Sequence, residues 1–349
     1  MKQKDAMVNA LLAELELRRD YLADTRLGSV YFGGGTPSLL ETRDLERIFE
    51  KIHQLFQVEK DAEITLEANP DDLSAEKLRD LRNYTPVNRL SIGIQSFSDA
   101  DLKWMNRAHQ ASEARQSLEN ALSAGFHDLT IDLIYGAPTT SDAQWHENLA
   151  LAFEYGIPHL SCYCLTVEEG TALGTFVRRG QQPPVEEEKS ARQFEYLMQA
   201  TAAKGYDHYE ISNFALPGRY ARHNGNYWRG EHYLGIGPSA HSFDGVSRQW
   251  NIANNALYIK ALDAQELSFE REVLTPEQRF NEYIMTALRT IWGVEMPKLA
   301  SLGNAFSVHF EKAIQPYLAA GTVERHGEIY RLTRAGKLLA DRIAMELFL

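Results

Sequence analysis

The chain has 349 residues, 44% hydrophobic and 24% charged, with a formal net charge of −12. That is an ordinary soluble composition, with core enough for one large domain and a smaller one. The acidic balance argues against a general nucleic-acid or anionic-membrane binder, no apolar run approaches a membrane span, and the opening Met-Lys-Gln-Lys-Asp does not read as a signal peptide.

Met7, Leu11, Leu12 and Leu15 share one face of a predicted helix over 3–22. From there β-like and helical patterns alternate. Strands are predicted over 28–33, 62–68, 88–94, 128–134 and 158–165, and helices over 42–56, 74–83, 98–124 (broken near His109) and 141–155. Such repetition implies a parallel sheet with helices outside it. The two cysteines, Cys162 and Cys164, sit one residue apart on the last of these strands, poorly placed to bond to each other. Free thiols and a reducing cytoplasm are the expectation.

The first strand runs into Gly33-Gly34-Gly35-Thr36-Pro37. Without Cβ atoms this turn can take conformations closed to other residues and let a ligand lie against its amides. Thr36 is placed as an N-cap and Pro37 as the first helical residue. Neither G-x-G-x-x-G nor G-x-x-x-x-G-K-[ST] occurs at this turn. The later strand ends carry Glu67-Ala68-Asn69-Pro70, Gln95-Ser96-Phe97, Asp132 before Tyr135-Gly136-Ala137-Pro138, and Thr166 with Glu168. In a β/α barrel such ends converge on one mouth, where ligands bind. Any one of them, such as Glu67, is as readily a structural contact, but five strand ends together point to a site. The chain opens on a helix, where a β/α barrel opens on a strand.

After residue 166 the pattern changes. Arg178 to Lys189 reads as a loop leading into a helix over 187–204, followed by the polar-aromatic passage from Tyr209 to Ser242. There His223-Asn224-Gly225-Asn226-Tyr227-Trp228 admits two readings. His223 is an axial ligand to a heme iron with Tyr227 and Trp228 packing on the ring, or a satisfied histidine in a surface loop with aromatic anchors. The remainder is expected to be a separate, winged-helix-like docking or lid element. It has helices over 275–290, 296–302 and 305–319, a hairpin of 322–325 with 329–332 about His326-Gly327, and a final helix over 333–348 capped by Thr333.

Gly33-Gly34-Gly35-Thr36-Pro37, Glu67-Ala68-Asn69-Pro70, Gly93-Ile94-Gln95-Ser96-Phe97 and Asp132-Leu133-Ile134-Tyr135-Gly136 resemble the radical S-adenosylmethionine (SAM) enzymes related to oxygen-independent coproporphyrinogen III oxidase. Within that group, His223-Asn224-x-x-Tyr227-Trp228 resembles the H-N-x-x-Y-W signature of HemW-type heme chaperones. The resemblance implies an α/β fold: a partial parallel β/α barrel of radical-SAM type lacking its first strand, over 1–170. A connecting region with the heme motif would cover 171–270, and a helical, winged-helix-like domain 271–349. It also implies that Gly34, Gly35 and Thr36 hold the methionine end of SAM and that Glu67 contacts it. Gln95, Arg107 and Asp132 match positions that contact a second SAM in the oxidase branch, and Thr166 falls at the equivalent strand end. His223, with Asn224, Tyr227 and Trp228, would contact heme.

The family holds a [4Fe–4S] cluster with three cysteines in C-x-x-x-C-x-x-C after the first strand, whereas no cysteine here precedes Cys162. Two thiolates in C-x-C spacing cannot replace three. The expectation is therefore either an N-terminally shortened chain or a cluster-free paralogue. The leading function implied is a cytoplasmic heme chaperone delivering heme to a recipient, membrane-bound respiratory proteins among the candidates, with homodimerisation left open. The alternatives are a coproporphyrinogen III oxidase-like enzyme and a cluster-independent barrel enzyme with Glu67 or Asp132 as general base.

Overall fold

Five strands form where the alternation placed them, and the helices between them follow. The structure, a computed structural model, describes residues 4–349; residue 3, where the first predicted helix opens, lies outside them. In order come α1 (Lys4–Leu17), β1 (Arg26–Phe32), α2 (Thr42–Leu55), β2 (Gln57–Ala68), α3 (Ala75–Tyr84), β3 (Arg89–Gln95), α4 (Asp99–Trp104), α5 (Ala111–Ser123), β4 (Asp128–Tyr135), α6 (Asp142–Glu154) and β5 (His159–Cys164). They are followed by α7 (Ala172–Arg178), α8 (Glu187–Ala203), β6 (Asp207–Glu210), β7 (Asn213–Ala215), α9 (Arg222–Arg229), β8 (His241–Phe243), β9 (Ser247–Asn251), α10 (Asn255–Asp263) and β10 (Phe269–Val273). The chain ends with α11 (Pro276–Leu288), β11 (Val294–Glu295), α12 (Met296–Leu302), α13 (Asn304–Ala313), α14 (Gln315–Ala319), β12 (Val323–His326), β13 (Ile329–Leu332), α15 (Arg334–Lys337) and α16 (Ala340–Glu346).

One sheet has the order β1-β2-β3-β4-β5-β7-β6. From β2 through β5 the pairing is parallel, and β7 runs antiparallel to both β5 and β6. On one face of β3 Arg89, Ser91 and Gly93 are buried, and on the other Leu90, Ile92 and Ile94 are wholly so, as a central strand covered on both faces requires. Each of these three apolar side chains contributes about 1.5–3 kcal/mol on burial.

The chain divides into two compact units, residues 31–42 with 64–221, and residues 1–30 with 43–63 and 222–349. Within the first unit, Trp145 of α6 is fully buried and donates from its indole nitrogen to the Gln193 carbonyl of α8 at 3.0 Å. The Gln193 side chain in turn accepts from Gly136 N–H at 2.8 Å, tying α8 to the end of β4. In the second unit α1 packs on α10 through Ala10, Tyr258, Ile259 and Leu262. Buried Glu14 of α1 pairs with Arg18 at 2.8 Å and accepts from Gly237 N–H at 2.8 Å. Two further antiparallel sheets, β10-β9-β8 and β11-β13-β12, belong to this unit, the latter among the helices α11–α16.

Several boundaries differ from expectation. The first helix ends at Leu17, not residue 22. Pro37 opens a 3-10 turn, Pro37–Leu39, and Thr36 caps it without a side-chain hydrogen bond; α2 begins only at Thr42. The helix expected over 305–319 is two, because Pro316 has no N–H to continue the ladder. The final helix is also two segments, α15 and α16, although Thr333 caps it as expected by accepting from Gly336 N–H. After residue 166 the predicted helix forms as α8, and α7 and the strands β6 and β7 appear where no element was predicted.

Candidate functional site

The parallel strands end in a cavity of about 160 Å³. It is lined by the glycine turn through Gly35, Thr36 and Pro37, by Glu67 and Asn69 at the end of β2, by Ser91, Gly93 and Gln95 of β3, and by Arg107 and Asp132. Gly34 and Gly35 both have left-handed backbones, φ 68° and 59°, and a Cβ on either would meet nothing within 4 Å. The glycines are thus required by conformation, and the space beside them is open.

Glu67 ties this turn to the sheet. Its Oε1 accepts from the Tyr31 hydroxyl at 2.6 Å and its Oε2 from Gly34 N–H at 3.1 Å. Arg107 donates to Asn69 Oδ1 at 3.0 Å, across the end of β3. Gln95 is held at φ 64°, where the β3–β4 register shifts. Burial, followed by the negative charge of Glu67, pushes the Asp132 pKa up to about 7, while Ser161 and Arg107 act against the rise. Two carboxylates and one guanidinium around an open glycine turn suit a small ligand that carries a cationic group and a carboxylate.

Of the expected mouth residues, Gly35, Thr36, Glu67, Gln95, Arg107 and Asp132 line this one cavity, and Gly34 is bonded to Glu67. Thr166 lies exposed beyond the end of β5 and is not part of the lining. Asn69 and Gly93, which stood in the motifs without a role, line it too, as does Ser91, which stood in none. Their signal was the period of two: Ser91, Gly93 and Gln95 fall on one side of β3, as Glu67 and Asn69 do along β2.

The H-N-x-x-Y-W stretch lies on α9, a helix rather than a surface loop. The Glu63 carboxylate of β2 caps its start, accepting from Arg222 N–H at 2.7 Å and His223 N–H at 2.9 Å. The Arg222 guanidinium bonds to the Gly28 carbonyl at 3.2 Å and to Asp61 at 2.9 Å. The His223 ring places Nδ1 3.2 Å from the Ser29 hydroxyl of β1. Burial lowers the His223 pKa, and the Glu63 charge works in the other direction. His223 and Tyr227 are four residues apart on one face of α9, as are Asn224 and Trp228. Tyr227 is exposed and meets Trp228 edge-on at 5.4 Å, with Tyr233 5.7 Å away. The Arg289 guanidinium lies over the Trp228 ring at 5.5 Å.

Cys162 is buried and Cys164 exposed, and both are free. Burial pushes the Cys162 thiol well up and also raises that of Cys164. Neutral thiols on one strand do not fit a cluster that needs three thiolates. Among the described residues no group of three or more His, Cys, Asp or Glu could hold a metal ion. No helix among them is long and apolar enough to cross a membrane.

The class of protein is thus an α/β protein whose parallel strands gather a glycine turn, carboxylates and an amide around one strand-end cavity. The radical SAM superfamily profile matches residues 6–161, and that of the HemN C-terminal domain residues 274–339. The heme chaperone HemW of Mycobacterium tuberculosis is 34% identical over 98% of this chain and 86% of that protein. HemW of Escherichia coli is 32% identical over 99% of this chain and 90% of its own length. The structure of the radical SAM enzyme coproporphyrinogen III oxidase (HemN) from Escherichia coli aligns with a TM-score of 0.84, over 100% of this chain and 84% of that one, at 23% identity. The chain belongs to the HemW heme chaperone family of the radical SAM superfamily.

Proposed function

We propose that this protein binds heme on α9 and hands it to a recipient protein. His223 is the iron ligand, and Tyr227, Trp228 and Asn224 contact the macrocycle. The observation that carries this reading is the anchoring of His223. Its backbone is capped by Glu63, its ring faces Ser29, and its lowered pKa keeps the imidazole neutral, the form that coordinates iron. The heme-chaperone relatives support the activity. Titration of hemin into the protein, followed by absorbance, tests it. His223→Ala should weaken binding and alter the heme spectrum; an unchanged titration and spectrum would reject the role.

The strand-end cavity is the proposed SAM site. Gly34, Gly35, Thr36 and Glu67 would hold the methionine end, and Gln95, Arg107 and Asp132 would line the remainder, with Thr166 at its margin. The two thiols present do not fit a [4Fe–4S] cluster, so no radical step is assigned to them. The proposed setting is the cytoplasm, the proposed recipient a heme protein of respiration, and the proposed assembly a homodimer. Functional divisions near residues 170 and 270 separate barrel, heme segment and C-terminal domain.

A second reading is favoured by one observation. A carboxylate with a pKa of about 7, as at Asp132, is poised as a general base for a cluster-independent enzyme. A clear SAM binding isotherm removes that reading, since such an enzyme has no reason to bind SAM.

A further inference from the structure

We infer that Ser29 and Glu63 are positioning residues of the heme site; this rests on the reading of His223 as the iron ligand. Neither belongs to the H-N-x-x-Y-W stretch. Ser29 precedes His223 by 194 residues and Glu63 by 160, and they lie on β1 and β2. The first turn of a helix has N–H groups without intrahelical partners, and here one carboxylate accepts from two of them, at Arg222 and His223. A two-oxygen clamp on consecutive amides fixes where the His223 Cα stands and how α9 is rotated about its axis. Arg222 reinforces it by reaching back to Asp61 of the same strand and to the Gly28 carbonyl beside Ser29.

The clamp sets the backbone, and Ser29 sets the ring. A metal-binding histidine generally bonds its second ring nitrogen to a nearby acceptor, which selects the tautomer and the plane of the imidazole. The Ser29 hydroxyl, 3.2 Å from Nδ1, is in that place. With the proton on Nδ1 donated to Ser29 Oγ, Nε2 would be the nitrogen that ligates iron. Glu63 and Ser29 thereby hold the ligand at two points, the main chain and the ring, before heme arrives. Heme loading then requires no ordering of the histidine.

The test is hemin titration of the full chain, reading both affinity and the position of the Soret band, for Ser29→Ala, Ser29→Thr, Glu63→Ala and the reference His223→Ala. Ser29→Ala and Glu63→Ala are each expected to weaken hemin binding about tenfold and shift the Soret band. Ser29→Thr, which keeps the hydroxyl, should retain the wild-type affinity and spectrum. A purely structural role for Ser29 would not separate threonine from alanine in the spectrum. If Glu63→Ala does not fold, the two Ser29 variants decide. Wild-type spectra and affinities in Ser29→Ala and Glu63→Ala, with His223→Ala impaired, would overturn the positioning roles and leave the heme reading intact. A wild-type titration by His223→Ala would overturn both.

Discussion

Tyr31 donates its hydroxyl hydrogen to Glu67 across 2.6 Å, joining the end of β1 to the end of β2. Burial, and then the Glu67 charge, raise the Tyr31 pKa, so the phenol stays protonated and remains a donor. Tyr31→Phe removes one of the two donors that hold this carboxylate. Because the acceptor is charged, the loss should be about 1–3 kcal/mol, read as a lower urea midpoint with an unchanged m-value. It should also loosen the glycine turn, seen as faster amide exchange at Gly34.

Asp132 gives the protein a pH dependence of definite sign. Its folded pKa of about 7 lies above the ordinary carboxylate value, so the native state binds the extra proton between roughly pH 4 and 7. Stability attributable to this group is therefore highest in acid and falls as pH rises through 7. Asp132→Asn should remove that slope and raise stability at pH 8 by about 1–3 kcal/mol, less than the full shift because the carboxyl faces a wet cavity. Urea denaturation of both proteins at pH 5.5 and 8 checks it. An identical pH slope in the variant would count against the assignment.

The three left-handed positions at the cavity should respond in opposite directions. Gly34→Ala and Gly35→Ala have room for the added methyl, so their cost is conformational, about 1 kcal/mol each. Gln95→Gly relieves the same strain at φ 64° and should stabilise by up to about 1 kcal/mol. All three should weaken SAM binding in calorimetry, the glycine variants by crowding and Gln95→Gly by losing its amide. A stabilised Gln95→Gly with weakened binding would separate the site's function from the fold's stability.

Cys164 should be the one thiol open to alkylation in the folded protein. Cys162 is only 1% exposed, whereas Cys164 lies at the surface end of β5. Mass spectrometry after native maleimide treatment should find a single adduct, on Cys164, and a second only after denaturation. Because burial raises its pKa, the rate should go on climbing with pH beyond the range in which an ordinary thiol is fully ionised.

The parallel core and its mouth were legible because apolar strands and helices alternate strongly, with polar groups confined to strand ends. The antiparallel strands β6 and β7 were not legible. Asp207-His208-Tyr209-Glu210 and Asn213-Phe214-Ala215 are too short to show a period, and their place comes from the pairing of β7 with β5 and of β6 with β7. The helix α9 was hidden for a related reason. Asn224, Gly225 and Asn226 are poor helix formers, and what stabilises α9 is the distant Glu63 and the packing of α11. The H-N-x-x-Y-W spacing therefore revealed the motif but neither its conformation nor its supports on β1 and β2. The 3-10 turn at Pro37 was missed because Thr36 and Pro37 satisfy the opening rules of either helix type.

The cap on α9 also bears on the order of assembly. Glu63 leaves the ribosome 160 residues before His223, so the carboxylate is in place long before the amides it clamps are synthesised. The short, glycine-containing helix has little reason to form alone, and it closes only when a late segment returns to an early strand. A C-terminal fragment beginning after β2 would carry the H-N-x-x-Y-W stretch without the carboxylate that caps it. If α9 is the heme site as proposed, hemin binding would report that this 160-residue return to β2 has been made.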